Sequence, residues 1–93
     1  MNKLTVFYLA GCPYCRSAMR AVQELEQELP SFSPDRIEWI EEREHADVAE
    51  RYDYYCVPSV FSGDRKLYEC RPGDDYTVIK AQLKRAIEAA FPD

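Results

Sequence analysis

Glycine is scarce in this chain, with three residues in 93, and the sequence holds no internal repeat and no low-complexity tract. A flexible linker or a disordered tail is therefore excluded, since such segments need residues that resist packing. Long apolar runs are also absent. Nothing approaches the roughly 18 consecutive apolar residues of a membrane span, so no membrane partner is expected. Positive charge is in deficit, 12 basic against 17 acidic side chains for a net charge of −5, which argues against nucleic acid as a partner. Acids are missing from one place in particular. Residues 1–23 contain Lys3, Arg16 and Arg20 and no Asp or Glu, so the most basic stretch of an acidic chain is its start.

What is present is enough for one core. Hydrophobic residues make up 46% and aromatics 13% of the chain, and 93 residues suit a single domain, 1–93, rather than two. Four cysteines lie at positions 12, 15, 56 and 70. Leu9-Ala10-Gly11-Cys12 resembles the cleavage motif of bacterial lipoproteins, but the stretch before it is shorter than a signal segment and is broken by Thr5. The expected location is the cytoplasm, where cysteines serve catalysis or metal binding more often than a disulfide framework.

The patterning divides the chain into seven elements. Lys3 to Leu9 is apolar on both alternating faces, as in a strand inside a covered sheet. From Pro13, Ala18, Val22, Leu25 and Leu29 recur at helical spacing up to Pro30. Arg36 to Glu41 is a second strand, with acids at 38, 41 and 42 marking an edge or a strand end. Residues 45–54 form a short helix, with Val48, Ala49 and Tyr52 on one face. Val57 to Ser62 and Lys66 to Cys70 are strands joined by a tight turn at Gly63-Asp64-Arg65. Asp74 or Asp75 caps a last helix whose buried stripe is Tyr76, Ile79, Leu83, Ile87 and Ala90. The order is βαβαββα, an α/β chain with a four-stranded mixed sheet flanked by helices.

The chemistry concentrates at Cys12-Pro13-Tyr14-Cys15. Two cysteines three residues apart lie on one helical turn, near enough to oxidise to a disulfide. Pro13 fits the first helical position, where a missing N–H costs nothing, and Cys12 then falls at the N-cap. Unpaired amides and the positive end of the helix dipole favour a thiolate there, and Arg16 is the nearest cation in sequence. The same pair could be half of a zinc site completed by Cys56, Cys70 or His45, yet no second closely spaced ligand pair exists and no metal is expected. Cys56 is either a third thiol or a small packed residue. Tyr52, Tyr54 and Tyr55 are expected in the core and the cleft wall.

With Cys12-Pro13-Tyr14-Cys15 after the first strand, Cys56-Val57-Pro58 opening the third, and Gly73-Asp74-Asp75 opening the last helix, the whole chain resembles the glutaredoxin branch of the thioredoxin fold. The resemblance implies a thiol–disulfide oxidoreductase with Cys12 and Cys15 catalytic, and substrate contacts from Tyr14, Val57, Pro58, Gly73 and Asp74. It implies a cis bond at Val57–Pro58, with the Val57 backbone pairing with an extended peptide or glutathione, and a γ-glutamyl end held by Asp74 and the nearby amides. No bound cofactor is implied. Glutathione is the co-substrate, the partners are disulfide-containing or glutathionylated proteins, and the chain acts as a monomer. Leu9 departs from the pattern, because many glutaredoxins carry a glutathione-binding lysine three residues before the first cysteine. That departure keeps open a small thioredoxin-like electron donor reduced by a flavoprotein reductase. A metal or iron–sulfur cluster module is the reading from a different class.

Overall fold

The computed structural model describes residues 3–91. Its elements are β1 Leu4–Tyr8, α1 Pro13–Glu28, a 3-10 turn Pro34–Arg36, β2 Ile37–Glu41, α2 Ala46–Ala49, β3 Ser59–Ser62, β4 Arg65–Glu69 and α3 Tyr76–Ala90. Apart from the 3-10 turn, this is the expected βαβαββα order. The sheet runs β2-β1-β3-β4, with β1 parallel to β2 and antiparallel to β3, and β3 antiparallel to β4. The thioredoxin-like architecture expected from the sequence is the one adopted.

β1 is hydrogen-bonded on both sides and covered on both faces, which is why its run is apolar at alternate and intervening positions. On one face Leu4 and Val6 join Ala18, Ala21, Val22 and Leu25 of α1 and Ile79, Leu83, Ala86 and Ile87 of α3 in a single core. On the other, Phe7 sits among Tyr52, Tyr54 and Phe61, with ring centroids 4.7, 5.0 and 5.8 Å away. Outside the core, the seam between α1 and α3 is tied by Lys80, whose ammonium lies 2.9 Å from Glu24 and 2.6 Å from Glu28.

Several boundaries move from their expected places, each for a tertiary reason. The helix expected over 45–54 is the single turn Ala46–Ala49. Tyr52 and Tyr54 are drawn into the aromatic layer instead, and the Tyr54 hydroxyl donates to Glu42 at 2.7 Å. Tyr55 does not join them; it is 92% exposed and so corrects the expectation of a core or wall position. The third strand begins at Ser59 rather than Val57, because Pro58 has no N–H to give a strand ladder. The hairpin turn is Gly63-Asp64 alone, flanked by the Ser62–Arg65 pair. Gly63 has φ +62°, the left-handed conformation that two-residue hairpin loops require and that other residues resist.

Leu83 has no exposed surface and stands at the centre of the helix–helix–sheet core. Leu83→Ala should lower stability by about 2–5 kcal/mol in guanidinium unfolding. A loss below about 1 kcal/mol would show that this layer is not the stabilising core.

Candidate active site

The loop from β1 to α1 is held by hydrogen bonds at nearly every residue. The Leu9 N–H donates to the Cys15 sulfur at 3.5 Å, the Ala10 N–H to a Glu41 carboxylate oxygen at 2.9 Å, and the Cys12 N–H to the Leu9 carbonyl at 3.1 Å. The Arg16 guanidinium donates to the Gly11 carbonyl at 3.1 Å, which brings its charge beside the turn. Of the two other early cations, Arg20 is committed elsewhere, paired with Glu24 at 3.6 Å and stacked over Tyr76, and Lys3 is exposed before β1.

Cys12 is the N-cap of α1, with extended backbone at φ −77° and ψ 125°, and Pro13 follows in the first helical turn. Its thiol is partly exposed and makes no capping hydrogen bond of its own. Cys15 is 2% exposed, on the inward side of the same turn. Burial pushes the Cys15 thiol up to about 12, against the opposing pull of the Leu9 N–H, and neighbouring Cys12 adds to the rise. One sulfur faces outward and its neighbour is kept protonated.

In the loop before β3, Val57–Pro58 is cis and Pro58 is fully buried. The segment is clamped from β4. Glu69 accepts from the Tyr55 N–H at 2.7 Å and the Cys56 N–H at 2.8 Å, while Lys66 donates to Glu69 at 2.7 Å and to the Asp53 carbonyl at 3.0 Å. Lys66 is the main cause holding the Glu69 carboxyl below its usual range. On the far side the Cys70 N–H donates to the Pro58 carbonyl at 3.0 Å. Cys70 is buried, and desolvation raises its thiol, with charge at Cys12 and Cys56 contributing. Cys56 is neither fully buried nor paired, and it lines a groove of about 660 Å³ with Cys70, Leu67, Pro72, Val78 and Tyr55. A smaller hollow of about 290 Å³ lies at the other end of α1, around Leu29, Phe32 and Phe91.

The third expected region, Gly73-Asp74, is joined to the first by the Gly73 N–H donating to the Tyr14 hydroxyl at 3.1 Å. Gly73 has φ +95°, which favours glycine at this turn. Asp74 is not the helix cap. Asp75 is, accepting from the Val78 N–H at 3.0 Å, a bond worth roughly 1 kcal/mol. Asp74 instead accepts from the Tyr68 hydroxyl at 2.8 Å and the Arg71 N–H at 3.1 Å, and the Arg71 amide leads the causes holding its carboxyl low. Among the described residues no group of three or more His, Cys, Asp or Glu stands in a metal-holding arrangement, and no helix is long and apolar enough to cross a membrane.

Two site-building residues escaped the sequence reading. Glu41 looked like a strand-end acid, yet it is 6% exposed and also accepts from the Arg43 and Glu44 amides at 2.6 and 3.1 Å. Glu69 lay within the expected Lys66 to Cys70 strand with no role assigned to it. The one available signal was an acid at the end of each strand flanking the motif-bearing loops.

No protein-family model matches this sequence, and no curated protein matches it. Solved structures do. Thioredoxin 1 from the thermophilic eubacterium Thermosipho africanus superposes with a TM-score of 0.59 at 16% identity, covering 94% of this chain and 96% of that one. A malarial protein gives 0.56 at 12% identity, covering 91% and 96%. The chain therefore has the thioredoxin fold, an α/β fold with a mixed four-stranded sheet flanked by helices. The neighbours do not divide that fold into thioredoxins and glutaredoxins for this chain.

Two measurements follow from the geometry. Brief iodoacetamide treatment of the reduced protein at pH 8, read by peptide mass spectrometry, should label Cys12 well before Cys15; equal labelling would contradict the buried, protonated Cys15. Glu41 is held below its ordinary range, first by the Ala10 N–H, so the stability it contributes is complete above its unfolded value of about 4.3 and is lost as pH falls through its lower folded value. Glu41→Gln should therefore unfold with a shallower pH dependence below about pH 4.3 than the parent chain. Parallel acid-unfolding curves would refute the assignment.

Proposed function

We propose that the protein is a glutaredoxin-like thiol–disulfide oxidoreductase working through the Cys12–Cys15 dithiol. The observation that carries this reading is the asymmetry of the pair: Cys12 at the helix N-cap and partly exposed, Cys15 on the inward side of the same turn and protonated. The Cys12 thiolate attacks a sulfur of the target disulfide, the target S–S bond breaks, and the departing thiolate takes a proton. Cys12 is now joined to the target. Cys15 then gives up its proton and attacks the Cys12 sulfur, releasing the second target thiol and leaving a Cys12–Cys15 disulfide. The target has gained two electrons, which two thiols of glutathione restore by forming glutathione disulfide. For glutathionylated proteins the first step suffices, with glutathione itself as the resolving thiol. Disulfide-containing and glutathionylated proteins of the cytoplasm are the partners in this reading, met by a monomer.

A second reading is favoured by Leu9, which offers no cation at the loop, and by a glutathione-side turn whose groups are engaged internally. In it the dithiol is a thioredoxin-like electron donor reduced by a flavoprotein reductase. The chemistry at Cys12 and Cys15 is the same. Reduction by glutathione alone, compared with reduction by a thioredoxin reductase and NADPH, separates the two.

The mechanism is tested by paired variants. Cys12→Ser should reduce activity on insulin and on a glutathionylated peptide to the uncatalysed background. Cys15→Ser should lose insulin reduction and trap a mixed disulfide visible by mass spectrometry. Full activity in both variants would end this proposal.

A further inference from the structure

Resting on that reading of Cys12, we infer that Tyr14 sets the substrate class: its hydroxyl latches the 71–74 turn shut against a small amino-acid end, while the Val57 edge stays open to an extended chain. Disulfides carried on protein chains are then preferred over low-molecular-mass glutathione disulfides.

The two flanks of the site differ in which polar groups are left free. At the proline loop every neighbour is fixed: the Cys56 N–H on Glu69, the Cys56 carbonyl on the Ser59 hydroxyl, and the Pro58 carbonyl on the Cys70 N–H. Val57 between them makes no hydrogen bond through its N–H or its carbonyl among the described residues. A donor and an acceptor on one extended residue pair naturally with a strand of another chain. Tyr55, 92% exposed two residues earlier, adds apolar surface for the flanks of such a chain.

At the opposite flank the two amides of the turn and one oxygen of its carboxylate are engaged, while Asp74 Oδ1 has no partner among the described residues. An α-carboxylate needs backbone N–H groups and an ammonium needs a carboxylate, and the turn contains both. Yet the Gly73 N–H is given to Tyr14, the Asp74 N–H to the Arg71 carbonyl at 3.0 Å, and one Asp74 carboxylate oxygen takes both the Tyr68 hydroxyl and the Arg71 N–H. The Tyr14 ring is half-buried against the core, so the hydroxyl is held where it is. A peptide substrate held by Val57 leaves this latch intact. Glutathione can also pair with Val57, but its amino-acid end then meets a turn whose Gly73 N–H is already given to Tyr14, and it has to break that bond to anchor there.

Tyr14→Phe keeps the ring and removes the hydroxyl, and two readouts follow its effect. Titration of ¹⁵N-labelled protein with S-methylglutathione, which cannot exchange a disulfide, should show binding about two- to tenfold tighter in the variant, reported by the Gly73 amide. The ratio of kcat/KM for a glutathionylated peptide to kcat/KM for insulin should rise by a similar factor. An unchanged or weaker affinity together with an unchanged or lower ratio would overturn the latch. If the parent chain reduces neither disulfide, the proposed function fails, and the S-methylglutathione titration still decides the latch by itself.

Discussion

The thiol end of this molecule depends on β1 being paired on both edges and covered on both faces. Four strand positions of β1 align with β3 and five with β2, so the point where β1 stops is fixed by its neighbours and not by its own sequence. Leu9 to Cys12 leave that point with little freedom, because their amides and carbonyls are engaged by Cys15, Glu41, Arg16 and one another. A loop bonded in this way delivers Cys12 to the start of α1 at one orientation. It also sends α1 back over the sheet with Cys15 beneath the surface.

Burial then separates two chemically identical groups. Cys12 and Cys15 are three residues apart, yet Cys12 is partly exposed while Cys15 is buried and its thiol is pushed up by desolvation. The same logic governs the carboxylates around the site. Glu41, Glu69 and Asp74 each accept backbone N–H groups, and each is held below its usual range. Buried or half-buried acids therefore serve as staples for irregular backbone, which has no ladder partner to satisfy its amides. The loop after β1, the loop before β3 and the 71–74 turn each have one such staple.

In the proposed reading, the substrate surface is a question of which backbone groups remain unspent. The proline loop is stapled on both sides of Val57 and leaves that residue's own groups free, whereas the 71–74 turn spends its donors on Tyr14 and Arg71. Cys56 and Tyr55 extend the open side as a thiol and an exposed ring on the same groove. The difference between a peptide-facing and a small-molecule-facing site on this fold thus comes down to a few hydrogen bonds.

By itself the sequence determined what depends on neighbours a few residues apart. The two long helices, the hairpin, the helix-start position of Cys12 and the placing of both motif cysteines on one turn follow from periodicity, from Pro13 and from the Cys-x-x-Cys spacing. The element order and the fold were legible on the same grounds. Tertiary structure decided the rest: the truncation of the 45–54 helix, the exposure of Tyr55, the choice of Asp75 over Asp74 as cap, and the bonds of Glu41 to Ala10 and Tyr14 to Gly73. Those bonds join residues 31 and 59 positions apart, from side chain to backbone. A single acid or hydroxyl reaching a distant amide leaves no period in the sequence, so only the folded chain shows which amide it meets.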